Sequence, residues 1–197
     1  MLFDRLKSAE AEVASVIAAS DIPEDYAHAL DVKARVREFL PGATPSLEFA
    51  ALAHDIERAL PGRRIVRSRF GDYQVFKRAH ARNSARVLGD ILSAHGVLEN
   101  LKARILHLVR HHEERDHLDE ELSALIDADS VSFFTVNLPH YARRHSQDEV
   151  LFRMRWGYRR LSPRGRAFVQ QLRYPEIRLN AWLEEVITGE QGRRHGL

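Results

Sequence analysis

The chain has no cysteine, only two methionines and two tryptophans, and no apolar run near the roughly eighteen residues that a membrane-spanning helix needs. The missing cysteines exclude both a disulfide framework and a thiolate metal site. The opening residues, MLFDRLKSAEAEVASVIAAS, carry acids throughout and lack the apolar core of a signal peptide. A cytoplasmic protein without a membrane partner is therefore expected. Charge of one sign is also scarce, since the formal net charge is only +2. One denser basic stretch, PGRRIVRSRFGDYQVFKR at 61–78, leaves nucleic acid or a phosphorylated molecule open as a partner. No zinc-finger, aromatic RNA-binding or heptad motif accompanies it.

What is present is a globular composition, 197 residues with 44% hydrophobic and 29% charged, enough for one domain over 1–197 with a real core. Apolar residues recur at three- and four-residue spacing almost everywhere, and strand-like alternation is scarce. The expected class is all-α, a helical bundle with additional C-terminal helices. Helices are expected at 2–19, through SDIPEDYAHALDVKARVREFL, and at 47–60, 73–94, 98–112, 118–144, 148–160, 163–172 and 175–188. PGATPS breaks the chain before the third helix, which Ser46 would cap, and Gly96 would end the fourth. The tail GEQGRRHGL reads as polar and frayed.

The abundance of histidine, eleven in all, is the unusual feature. Several fall on apolar helix faces. His28 shares a stripe with Val32 and Phe39, and His54 one with Leu47, Ala50 and Ala51, with Asp55 about 100° further round. His80 follows Phe76 and precedes Val87 and Ile91. His112 continues the Ile105, Leu108, Val109 stripe, with His111 on its edge. Asp129 continues Leu122, Leu125 and Ile126, whereas Asp127 points elsewhere. Each group would be costly to bury unpaired. Together they can satisfy one another around metal ions, because imidazole and carboxylate suit iron, manganese, zinc, cobalt or nickel. His95, before Gly96, suits a helix C-terminus. His107, His117, His140, His145 and His195 read as surface or tail residues. Trp156 and Tyr158 would pack the C-terminal helices on the bundle or form a homodimer face.

The order H…HD…D, carried by His28, His54–Asp55 and Asp129, resembles the signature of the HD-domain superfamily of metal-dependent phosphohydrolases. LIDADSVSFF resembles that superfamily's AD-x-L helix, with Asp127 and Asp129 both available to it. The run His111–His112–Glu113 with Asp116 is similar to the HHE-x-x-D of the HD-GYP branch, although the GYP motif is absent. The resemblance covers about 22–135, with a helical extension at about 146–188. It implies one or two divalent ions, the first held by His28, His54, Asp55 and Asp129. Asp55 would bridge to a second held by His80 with His111 or His112. It also implies hydrolysis of a phosphate mono- or diester by a metal-activated hydroxide, on a small phosphorylated substrate such as a nucleotide. Asp55, Lys77 and Arg58 are the catalytic candidates, and Lys77, Arg82 and Arg86, on the helix carrying His80, the substrate-binding ones; Glu57 and Glu113 are available for proton transfer or ligand support. Two other readings use the same ligands: a di-iron oxygenase of the superfamily, and a metal-containing nucleotide-binding module without turnover.

Overall fold

In the first helix, α1 (Leu2–Ala18), Leu6, Ala9, Val13 and Ile17 are buried at three- and four-residue intervals. The same periodicity builds the rest of the computed structural model, which describes residues 2–114 and 118–195 and contains no strand among them. The helices that follow are α2 (Asp25–Phe39), α3 (Pro45–Ala53), α4 (Tyr73–Ala94), α5 (Glu99–His111) and α6 (Glu120–Ser132). Then come α7 (Leu138–Arg144), α8 (Gln147–Arg160), α9 (Pro163–Gln170) and α10 (Ile177–His195). No helix is long and apolar enough to cross a membrane, among the described residues.

The bundle is set by α2 packing on α3 and α6, α3 on α5, and α4 on α5, with α1 laid across α2, α3 and α4. Helix α8 packs between α6 and α10. Buried apolar side chains form one continuous cluster from Leu6 to Val186. Side-chain oxygens close several helix starts: Asp72 accepts from the Val75 N–H at 2.7 Å and Asp119 from Leu122 at 3.1 Å. Gly96, at φ +61°, ends α4 as its sequence position predicts, with the Val97 N–H returning to the Leu92 carbonyl at 3.0 Å.

The structure departs from the sequence expectations in four places. Thr44 rather than Ser46 caps α3, accepting from the Leu47 N–H at 3.2 Å, while Ser46 is buried. Helix α3 stops at Ala53, and a 3₁₀ turn, Ile56–Ala59, follows. His54 donates through Nδ1 to the Ala51 carbonyl at 2.9 Å, the group that residue 55 would bond in a continuing helix. The expected helix over 118–144 is two helices joined by a π turn at Phe133–Asn137. Pro139 has no N–H to offer the Thr135 carbonyl, so the ladder widens ahead of it. At the far end α10 runs on through Gly189 and Gly192, where a frayed tail was expected.

Candidate metal centre

Four histidines from four segments converge, and all four are turned the same way round. Each Nδ1 is taken by a partner outside the centre. His28 donates to Ser132 Oγ at 2.9 Å, His54 to the Ala51 carbonyl at 2.9 Å, His80 to Glu57 Oε1 at 2.6 Å and His112 to the Val109 carbonyl at 2.7 Å. Carbonyls and carboxylates only accept, so the proton sits on Nδ1 and Nε2 is left to face inward. Ser132 fits the same pattern at His28, since its hydroxyl donates to the His28 carbonyl at 3.4 Å.

The inward atoms form two overlapping groups. In the first, His28 Nε2 and His54 Nε2 stand 3.2 Å apart, with Asp129 Oδ1 at 3.4 and 3.5 Å from them. In the second, Asp55 Oδ1 lies 2.7 Å from His80 Nε2 and 3.9 Å from His112 Nε2. The His112 Nε2 is fully buried and has no hydrogen-bond partner. Asp55 Oδ1 is also 3.6 Å from His54 Nε2, so this carboxylate stands between the two groups. In each group three ligand atoms lie within 4.8 Å of one another, and His112, Glu113 and Asp129 form a third such set. In its neutral form each imidazole, protonated on Nδ1, brings a lone pair to this space. Lone pairs at such separations repel unless a metal cation or a proton lies among them, and the donor set fits a divalent ion.

The break after Ala53 explains how neighbouring residues serve one centre. On a regular helix His54 and Asp55 would diverge by about 100°. Here His54 follows the last residue of α3 with helical dihedrals, and Asp55, at φ −104° and ψ 13°, turns its carboxylate back toward the histidines.

Charge and orientation are fixed from outside. Asp55 Oδ2 is 2.9 Å from Arg58, which also holds Asp25 at 2.9 Å. Asp129 Oδ2 is 3.1 Å from Arg160, which also reaches Glu113 at 3.2 Å and the His112 carbonyl at 2.6 Å. Glu57, which orients His80, is itself held by the Ile65 N–H at 2.6 Å and Asn83 at 3.0 Å. Burial pushes against charge on His54, but Asp55 and Asp129 outweigh it and raise the imidazole to about 9. Burial is likewise overcome at His80, raised by Asp55 and Glu57, whereas it prevails at His112, which is lowered. Against burial, His54, His80 and Arg58 hold Asp55 well below the usual carboxylate range, and His28, His54 and Arg160 do the same for Asp129.

The centre opens into a cavity of about 270 Å³ reaching His28, Asp55 and Asp129, beside a second of about 420 Å³ reaching His80. Arg58, Lys77, Tyr141 and Arg153 line both. Helix α8 therefore supplies much of the mouth, through Arg153, Trp156 and Arg160.

Nearly the whole chain, residues 2–181, matches a single family model. The chain belongs to the family described as Domain of unknown function (DUF4202). No curated protein and no solved structure matches it. For this DUF4202 chain, the site's content rests on its own geometry.

Of the residues singled out from sequence, the structure gathers His28, His54, Asp55, His80, His112 and Asp129. It does not bring in His111, which bonds Glu114 at 3.0 Å on the outer side of α5. Asp127 accepts from the Ser162 N–H at 2.8 Å and anchors the start of α9 instead. Lys77 lines both cavities, paired with Glu113, and Arg58 does so paired with Asp55. Arg82 and Arg86 do not reach the centre: they line a groove between α4 and α5 with His107 and His111, on exposed turns of α4. Asp116 and His117, and the His195 side chain, lie outside the described residues. His145 is exposed, as read from sequence, and it also borders the cavity, stacked on Tyr141 with ring centroids 3.9 Å apart. The C-terminal cations were not assigned from sequence. Their signal was Arg153 and Arg160, one heptad apart, flanking the buried stripe of Val150, Met154, Gly157 and Leu161.

Proposed function

We propose that this chain is a metal-dependent phosphohydrolase of the HD type, cleaving a phosphate mono- or diester of a small molecule, with nucleotides as the first class to test. The observation that carries this reading is the common orientation of the four imidazoles, every Nε2 inward and every Nδ1 held from outside. That arrangement, with Asp55 and Asp129, supplies two adjacent sets of ligand atoms. Divalent ions there supply Lewis acidity and an acidified water, the chemistry that phosphate-ester hydrolysis needs.

The chain's own residues divide the remaining work. His28, His54 and Asp129 make one ligand set, His80 and His112 the other, and Asp55 joins them. Arg58 and Arg160 fix the carboxylates through their outer oxygens, so Oδ1 of each stays turned inward. Lys77, Arg58 and Arg153 make the cavity walls cationic, which favours an anionic ester over a neutral one. The test is phosphate release from p-nitrophenyl phosphate, bis-p-nitrophenyl phosphate and a nucleotide panel, with metal-loaded and chelator-treated protein. Metal-dependent release that His54→Ala abolishes is expected. Absence of release across the panel from fully loaded protein would overturn the reading. The same paired ligand sets would serve a di-iron oxygenase, and oxygen-dependent turnover with bound iron, without anaerobic phosphate release, would put that reading in its place.

A further inference from the structure

The cations around the cavity are not equivalent. Arg58 is paired with Asp55 and Asp25, Lys77 with Glu113, Arg144 with Glu24 and Arg160 with Asp129 and Glu113. Arg153 has no such partner. Among the described residues no carboxylate lies within ion-pair distance of its guanidinium, and its Nε is sealed from solvent without a hydrogen bond. What surrounds it is aromatic: Tyr73 and Phe133 with ring centroids 5.2 Å away, Tyr141 and Trp156 at 5.7 Å. Ring faces stabilise a cation through their quadrupole but offer no acceptor in the plane of the guanidinium fork. Burial, with Arg58 and Arg160 as like-charged neighbours, pushes Arg153 down to about 9. It lines both the cavity that reaches His28 and Asp129 and the one that reaches His80.

A cation held by walls that cannot pair its N–H donors, facing the space beside a set of metal-ligand atoms, is arranged for an anion that arrives from outside. We propose that Arg153 is the phosphoryl-recognition residue of this site, and that its ligand is a compact phosphomonoester whose dianionic end meets the guanidinium fork. The anion subsite stands on the geometry around Arg153, while the choice of monoester as substrate rests on the phosphohydrolase reading. A monoester is favoured over a diester because a terminal phosphoryl group brings about two negative charges and three free oxygens. A diester brings one charge, with two of its oxygens already substituted. The cavity volume of about 270 Å³ also suits a small molecule rather than a polymer.

Trp156 borders the cavity and reports on it, and Trp182 is the only other tryptophan. The experiment is a fluorescence titration of chelator-treated Trp182→Phe protein with methyl phosphate, and separately with dimethyl phosphate. Saturable binding of methyl phosphate is expected, at least about tenfold tighter than dimethyl phosphate. Arg153→Gln should weaken it by about ten- to a hundredfold, the range for hydrogen bonds to a charged group. Arg153→Lys, which keeps the charge and loses the fork, should fall between. Arg82→Gln should change nothing. Arg153→Gln should melt no lower than the parent, because it removes a cation that the fold leaves unpaired. Equal affinity in the parent and Arg153→Gln, equal affinity for the two esters, or no saturable change in the parent would each overturn the proposal. The two readings fail separately. Arg153-dependent binding without any turnover would sink the hydrolase and keep the subsite, whereas full turnover and unchanged KM in Arg153→Gln would sink the subsite and keep the hydrolase.

Discussion

The two ligand sets differ in how each is held without an ion. Around His28, His54 and Asp129 the atoms stand 3.2 to 3.5 Å apart, a proton on His54 relieves their crowding, and the imidazoles are steered by a hydroxyl and a backbone carbonyl. Around Asp55, His80 and His112, a 2.7 Å contact between His80 and Asp55 already closes part of the space. His80 is steered there by a full carboxylate, Glu57. In the first set an ion displaces a proton but breaks no contact shorter than 3.2 Å, whereas in the second it must replace a 2.7 Å contact. The difference teaches that preorganisation alone does not rank two sites: what counts is the interaction each gives up. The first set should therefore fill first and more tightly.

The largest effect that would test this ranking is at the residue shared in reach by both sets. His54→Ala should lower metal content to below about a tenth of wild type by elemental analysis, since a lost ligand leaves two buried partners uncompensated. His95→Ala, whose ring bonds Glu12 on the surface at 2.7 Å, should leave it unchanged. Next in size is the contrast at the double histidine. His112→Ala should remove the weaker ion and spare the tighter one, while His111→Ala should do neither. A smaller change is expected from Glu57→Gln, which keeps His80 in place and weakens its orientation: about a ten- to hundredfold loss in affinity, confined to the second ion. If both ions weaken together in a competition titration, the two sets are one coupled site and the ranking fails.

The smallest effect concerns pH. In chelated protein the His54 imidazole sits at about 9, against an ordinary 6.5. Its proton therefore contributes stability that is complete below about pH 6.5 and lost as pH rises through 9. Thermal midpoints of chelated protein should fall across that window. Metal uptake should release protons over the same range, and a flat midpoint would remove the proton from the first set.

Much of this centre was legible because its ligands obey a period. His28, His80, His112 and Asp129 continue apolar helical stripes, and each is buried among them. His54 and Asp55 were legible as a pair but not in geometry, because a hydrogen bond from a side chain to the Ala51 carbonyl, invisible to periodicity, ends the helix there. The double histidine stayed open in the sequence; the structure turns His112 inward, while His111 bonds Glu114 on the outer side of α5. Asp127, fully inside the protein yet bonded to Ser162, shows that burial does not make a ligand. Arg82 and Arg86 failed for the opposite reason. They share a helix with His80 but sit on its exposed turns, and sequence proximity was mistaken for a shared face. Arg153 and Arg160 were hidden by distance along the chain, since only the packing of α8 on α6 brings them to the cavity.

That packing has a consequence for the smallest piece of chain that could carry the centre. All six gathered residues lie between positions 28 and 129, yet Arg160, 31 positions beyond Asp129, holds the outer oxygen of Asp129 and reaches Glu113. A fragment that stops before α8 keeps every one of those side chains and loses the cation that balances two buried carboxylates, so the stretch bearing the centre is not self-sufficient.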